Sequence, residues 1–143
     1  MSTMTDDNTY ITDPETWLDK VTTENDFVCI VIFRGHWCKY DEFYLKALGE
    51  FNKSTMVKEG LKLIAWTSEG PDGAAKADTA WGLISQYGFT QVIGDSSNAL
   101  ANYLKEDQLL PDIVTTTPQE AHVEDKVDPG SYPNGIVQPA MLW

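Results

Sequence analysis

The stretch FVCIVIF, residues 27–33, constrains the fold of this chain more than any other. It is continuously apolar, rich in β-branched side chains, and bounded by Asp26 before it and Arg34-Gly35 after it. An alternating strand would cover one face of a sheet. An unbroken run predicts a strand buried on both faces, in the middle of a sheet covered by helices. The period then changes: Tyr40, Phe43, Tyr44, Ala47, Leu48 and Phe51 recur at helical spacing, so a helix with this apolar stripe should begin just after Cys38.

The same alternation continues along the chain. Residues 61–69 read as a second strand, and Asp72 as the cap of a helix with the stripe Ala77, Ala80, Trp81, Ile84 and Tyr87, stopped by Gly88. Residues 90–95 read as a third strand, followed by a helix capped by Ser96 or Ser97 and carrying Leu100, Tyr103 and Leu104. Upstream, Asp13-Pro14 has the cap and first-turn proline of a helix start, with Trp17, Leu18 and Val21 as its stripe. Strands alternating with helices require parallel pairing and predict an α/β sandwich. Trp66, Trp81, Tyr87 and Tyr103 stand at core spacing and read as packing. Residues 107–135 break the rhythm with four prolines and dense acid, a long acidic loop insertion. The final run IVQPAMLW is strand-like and expected to need cover, from a partner chain or from further chain.

With 143 residues, the chain has the length of one domain, expected over 1–143 with an acidic tail over about 1–12. Its net charge of −12 is concentrated in two flanks. Residues 1–26 hold seven acids against Lys20, and residues 106–128 hold seven against Lys126. Between them, acids and bases balance at eight each. Such a charge repels phosphate backbones and anionic lipid, which argues against nucleic-acid or membrane partners. No apolar run has membrane-spanning length, and the polar, acidic N-terminus lacks the features of a secretory signal, so a cytoplasmic location is expected. Two cysteines, Cys29 and Cys38, are too few for a disulfide scaffold. Cys29 lies within the buried strand and reads as a small hydrophobe. His122 has Glu120, Glu124 and Asp125 around it but no second His or Cys, so no metal site is expected.

Cys38 is the chemically distinctive residue. A thiol at a helix start is favoured as thiolate by the unpaired N–H groups there, and Arg34 and His36 add positive charge. Trp37 shields its approach. Asp41, one turn into the helix, opposes ionisation and equally suits the first turn of any helix.

The order Arg34-Gly35-His36-Trp37-Cys38-Lys39-Tyr40-Asp41 after a strand and before a long helix resembles the R-G-x-W-C-x-x-C motif of the thioredoxin-like superfamily, specifically peroxiredoxin-like proteins of the AhpC/TSA type. VIGDSSNALANYL and YPNGIVQPAMLW are similar to later segments of that fold, and the resemblance covers roughly residues 14–143. It implies a thioredoxin-like α/β fold with a central sheet flanked by helices, lacking the final strand and helix. It also implies a cis-proline at Pro139 near the thiol, with Gln138 and Pro139 aligning a thiol substrate alongside Arg34, His36 and Trp37. Asp41 stands where the second cysteine would be, so a dithiol cycle cannot be completed within the chain. The peroxiredoxin pattern P-x-x-x-(T/S)-x-x-C fails in both registers: Arg34 and Cys38 precede Asp41, and Val31 and Gly35 precede Cys38.

The resulting expectation is a thiol-redox protein acting through Cys38 alone. Asp41 would handle protons, and glutathione or another external thiol would serve as co-substrate, without metal or organic cofactor. The competing expectation is a redox-inactive thioredoxin-fold module whose final strand and acidic loop engage a protein partner or a second copy in a homodimer.

Overall fold

A computed structural model describes residues 11, 13–54 and 61–142 of the chain. Five helices and a mixed four-stranded sheet make up its α/β core among the described residues. In chain order the main elements are α1 (Pro14–Glu24), β1 (Phe27–Phe33), α2 (Lys39–Ser54), β2 (Leu61–Thr67), α3 (Pro71–Trp81), α4 (Leu83–Tyr87), β3 (Gln91–Gly94) and α5 (Ala99–Glu106). Short strands β4 (Thr115–Thr116), β5 (Ile136–Val137) and β6 (Ala140–Leu142) follow, with one 3₁₀ turn at Pro129–Ser131.

The sheet order is β3-β2-β1-β6. β1 pairs in parallel with β2 and β2 with β3, while β6 lies antiparallel to β1. The apolar run of β1 is explained by its two neighbours and two covered faces. Cys29, Val31 and Phe33 join Leu63, Ala65, Leu45, Ala77 and Trp81 in one buried cluster. Ile30 and Ile32 turn the other way, toward Ile64, Trp66, Ile93, Leu100 and Leu104. Burying each such large apolar side chain contributes about 1.5–3 kcal/mol. Ile11, placed by sequence in the tail, is buried with the second cluster, as part of the core.

Asp13 caps α1 as expected, accepting from the Thr16 backbone N–H at 3.2 Å and from its hydroxyl at 2.8 Å. Elsewhere the boundaries differ from expectation. α3 starts on a Gly70 cap and Pro71 rather than at Asp72. The expected single helix breaks at Gly82, whose left-handed φ of 65° ends α3, and α4 ends on Gly88 at φ 77°. α5 is preceded by Asn98, not by a serine cap.

The largest departure concerns α2. Its buried arc is Asp41, Leu45 and Gly49, with Tyr44 and Leu48 half-buried beside it. Tyr40 and Phe43 are 83% and 78% exposed. The arc is turned by about one residue, or roughly 100°, from the apolar stripe. Gly49 supplies the reason: a Cβ there would meet the Tyr87 carbonyl oxygen at 2.5 Å, so the small residue sets the close approach of α2 to α4.

The terminal run is also divided. β5 pairs antiparallel with β4 in a second small sheet, and only residues 140–142 join β1. The described residues contain no cis peptide bond, which corrects the expectation for Pro139. Pro139 falls between β5 and β6, where the chain passes from one sheet to the other, so its missing N–H interrupts neither ladder. No helix among the described residues is long and apolar enough to cross a membrane.

Candidate functional site

Parallel strands deliver their carboxyl ends to one edge of a sheet, where an α/β protein usually builds its site. Here that edge carries the turns after β1, β2 and β3. The β1–α2 turn is the most heavily anchored. The Cys38 N–H donates to the Gly35 carbonyl at 3.2 Å, and the Cys38 carbonyl accepts from the Glu42 N–H at 3.1 Å, opening α2. Cys38 is therefore at the helix start that its sequence position predicts, and it is 3% exposed.

Arg34 organises this turn through its backbone N–H, its carbonyl and its guanidinium. Its backbone N–H donates to Asp41 Oδ2 at 2.7 Å. Its carbonyl accepts from the Tyr132 hydroxyl at 2.7 Å and from Thr67 Oγ1 at 3.1 Å. Its guanidinium donates from Nη2 to Cys38 Sγ at 3.0 Å and lies 5.3 Å from the centre of the Trp37 ring. Nε is 3.9 Å from Asp41 Oδ2, an ion-pair distance without a hydrogen bond. The guanidinium thus presents a charged donor to the sulfur.

Asp41 is 3% exposed. Burial pushes its carboxyl above the usual range, and the opposing pulls of the Arg34 N–H, the Arg34 charge and the Cys38 side chain do not cancel that push. Its closest partner is the backbone of Arg34, so it clips the helix to the strand end. Cys29 is fully buried on β1, and loss of water raises its thiol to about 11, which keeps it protonated.

Two groups absent from the sequence expectation complete the site. Glu69, 4% exposed on the β2–α3 turn, accepts from the His36 backbone N–H at 2.9 Å and holds His36 Nδ1 at 2.7 Å. Tyr132, from the acidic segment, accepts from Trp37 Nε1 at 2.8 Å, and its hydroxyl donates to the Arg34 carbonyl at 2.7 Å. Burial raises the Tyr132 hydroxyl, so it remains a donor. Val123, Tyr132 and Ile136 form a third small cluster against Trp37. The acidic segment is thus a cover over the thiol turn. Gly35 is required beneath it: a Cβ there would run into the Tyr132 hydroxyl and the Trp37 indole. Glu69 could have been suspected from its place just after a parallel strand. Tyr132 sits in an aperiodic stretch and carries no such signal.

His36, Trp37 and Glu69 line a cavity of about 480 Å³ with Asp72, Lys76 and Asp128. Gln138 and Pro139 are directed elsewhere. The Gln138 N–H donates to the Val114 carbonyl at 2.9 Å, its side chain donates to Thr116 Oγ1 at 2.9 Å, and Pro139 lines a smaller groove with residues 110–114. The structure brings together Arg34, His36, Trp37, Cys38 and Asp41, and groups Gln138 and Pro139 with the β4 region.

No protein-family model matches the chain, and no curated protein or solved structure is significantly similar to it.

Proposed function

We propose that the protein is a thioredoxin-like thiol oxidoreductase working through Cys38 alone, exchanging disulfides with an external thiol such as glutathione as co-substrate. The observation that carries this reading is the 3.0 Å approach of Arg34 Nη2 to Cys38 Sγ at the start of α2. A guanidinium spent on a sulfur is poorly explained by packing. The mixed sheet, with an antiparallel strand beside the strand that leads to the thiol, is compatible with the thioredoxin-like assignment. Asp41 and Tyr132 hold Arg34 in place from its two backbone ends.

The test is the rate of alkylation of the native protein by iodoacetamide at neutral pH, read by peptide mass. Cys38 should react and Cys29 should not, since burial keeps the Cys29 thiol protonated. Arg34→Leu should slow Cys38 about tenfold, the loss expected when about 1.4 kcal/mol of thiolate stabilisation is removed. Equal rates for wild type and Arg34→Leu would sink the reading.

One observation favours a binding module instead. Tyr40 and Phe43 stand exposed on α2 beside a thiol that is 3% exposed. In that case alkylation of Cys38 would be slow in both chains, and sedimentation equilibrium would report a dimer that Tyr40→Ser/Phe43→Ser dissolves.

A further inference from the structure

Thiol–disulfide exchange needs a proton for the thiolate that leaves, because a free thiolate of ordinary basicity attacks back. By its place in the sequence, Asp41 is the expected group for that task. The structure gives Asp41 another occupation: it is buried, and its Oδ2 is taken by the Arg34 backbone N–H at 2.7 Å. A different pair on the same edge has the geometry of a proton donor and its support.

We propose that His36 is the general acid for the departing thiolate and that Glu69 is its positioning residue. This rests on the single-thiol reading above. Glu69 holds His36 twice, through the backbone N–H at 2.9 Å and through Nδ1 at 2.7 Å. A carboxylate on Nδ1 fixes the ring and leaves Nε2 as the nitrogen available to a ligand. Glu69 is itself immobilised. It is 4% exposed, its N–H donates to Thr67 Oγ1 at 3.2 Å, and Gly73 leaves the space its side chain fills. A carboxylate this buried, spent on one histidine that lines a cavity, is an expensive arrangement for a solvated surface residue.

In this mechanism the leaving half of the substrate occupies the cavity that His36 lines. The cavity adjoins Trp37, the residue next to Cys38, and its volume of about 480 Å³ is that of a small-molecule site. The charged groups facing His36 there are Glu69 on the β2–α3 turn, Asp72 and Lys76 on α3, and Lys126 and Asp128 on the acidic segment. Mixed signs suit a small polar disulfide, such as one of amino-acid or short-peptide type, better than an apolar one.

The step balances without any cofactor. The Cys38 thiolate attacks one sulfur of the substrate disulfide, forming a new S–S bond as the old one breaks. The second sulfur leaves with the bonding pair, takes the Nε2 proton of the His36 imidazolium, and departs as a thiol. Solvent reprotonates His36. An external thiolate then attacks the substrate sulfur of the mixed disulfide, releasing a disulfide and the Cys38 thiolate.

The experiment compares two disulfides on the full chain. Bis-hydroxyethyl disulfide leaves as a basic alkyl thiolate and needs the proton. An aromatic nitrobenzoate disulfide leaves as a stable thiolate and does not. His36→Gln should lose on the order of 100-fold toward the alkyl disulfide and no more than a few-fold toward the aromatic one. Glu69→Gln should show the same asymmetry at about tenfold, and added imidazole should restore much of the alkyl rate in His36→Ala. Equal losses toward both disulfides would assign His36 a structural role and overturn the inference while leaving the thiol reading intact. A wild-type chain inert toward both would overturn the two together.

Discussion

The β1–α2 and β3–α5 turns meet the same requirement with opposite constructions. Each joins a parallel strand to a helix, and each is closed by a buried aspartate. After β3, Asp95 precedes its helix and reaches forward, accepting from Ser97 Oγ and from the Leu100 N–H at 3.3 Å. After β1, Asp41 lies inside its helix and reaches back to the Arg34 N–H. Both aspartates are almost completely buried. After β3 the carboxylate is met by a hydroxyl and a backbone amide. The turn after β1 adds a thiol, a guanidinium, an indole and a histidine held by a second carboxylate. A buried aspartate at such a junction is therefore ordinary architecture. What sets the first turn apart is the arginine that the aspartate fixes.

The comparison fails most visibly if the two aspartates are not structural. Asp95→Ala should cost the most, about 3 kcal/mol in urea unfolding, because the buried Leu100 N–H is orphaned and a fully buried side chain is truncated. A loss under about 1 kcal/mol would show that α5 does not depend on its clip.

Asp41→Ala should cost about 2 kcal/mol by the same measurement, since one backbone donor is orphaned. Asp41→Asn sharpens the contrast through pH. The folded carboxyl holds its proton more tightly than the unfolded one, whose ordinary value is 3.8, chiefly because burial penalises the charge. That stabilisation is fully present below 3.8 and is lost as pH rises through the folded value. Wild type should thus lose stability relative to Asp41→Asn as pH increases from 3.8, and then level off. A difference that is flat, or that grows in favour of wild type, would mean that Arg34 rather than burial controls this carboxylate.

The smallest expected effect belongs to the cover. Tyr132→Phe removes one hydroxyl that serves Trp37 and Arg34, and should cost about 1 kcal/mol. Its sharper readout is the fluorescence of the protein, which should change as the Trp37 indole N–H loses its acceptor. Unchanged emission together with unchanged stability would remove Tyr132 from the site.

Much of this architecture is legible in the residues. The limits of β1 are those of the apolar run, because a central strand must be apolar on both faces. Cys38 falls at the helix start because the change of period marks it. The orientation of α2 was not legible: its apolar stripe is wide, and the buried arc is chosen by Gly49 against Tyr87, a contact between distant segments. The same is true of Glu69 and Tyr132, whose partners lie 33 and 95 residues away along the chain. Local periodicity locates the thiol but cannot identify the side chains that arrive from other elements. Pro139 shows the converse, since a local likeness suggested a cis bond that the passage between two sheets does not contain.

The Tyr132 bridge also bears on the order in which the protein is made. Its hydroxyl joins residues separated by 95 and 98 positions, so the thiol turn is completed only after residue 132 has left the ribosome. The nascent strands and helices up to α5 can pair and pack before that, with the sulfur still uncovered. Synthesis therefore passes through a stage in which the scaffold exists and Cys38 is open to whatever oxidant is near. The segment that carries Tyr132 closes that interval.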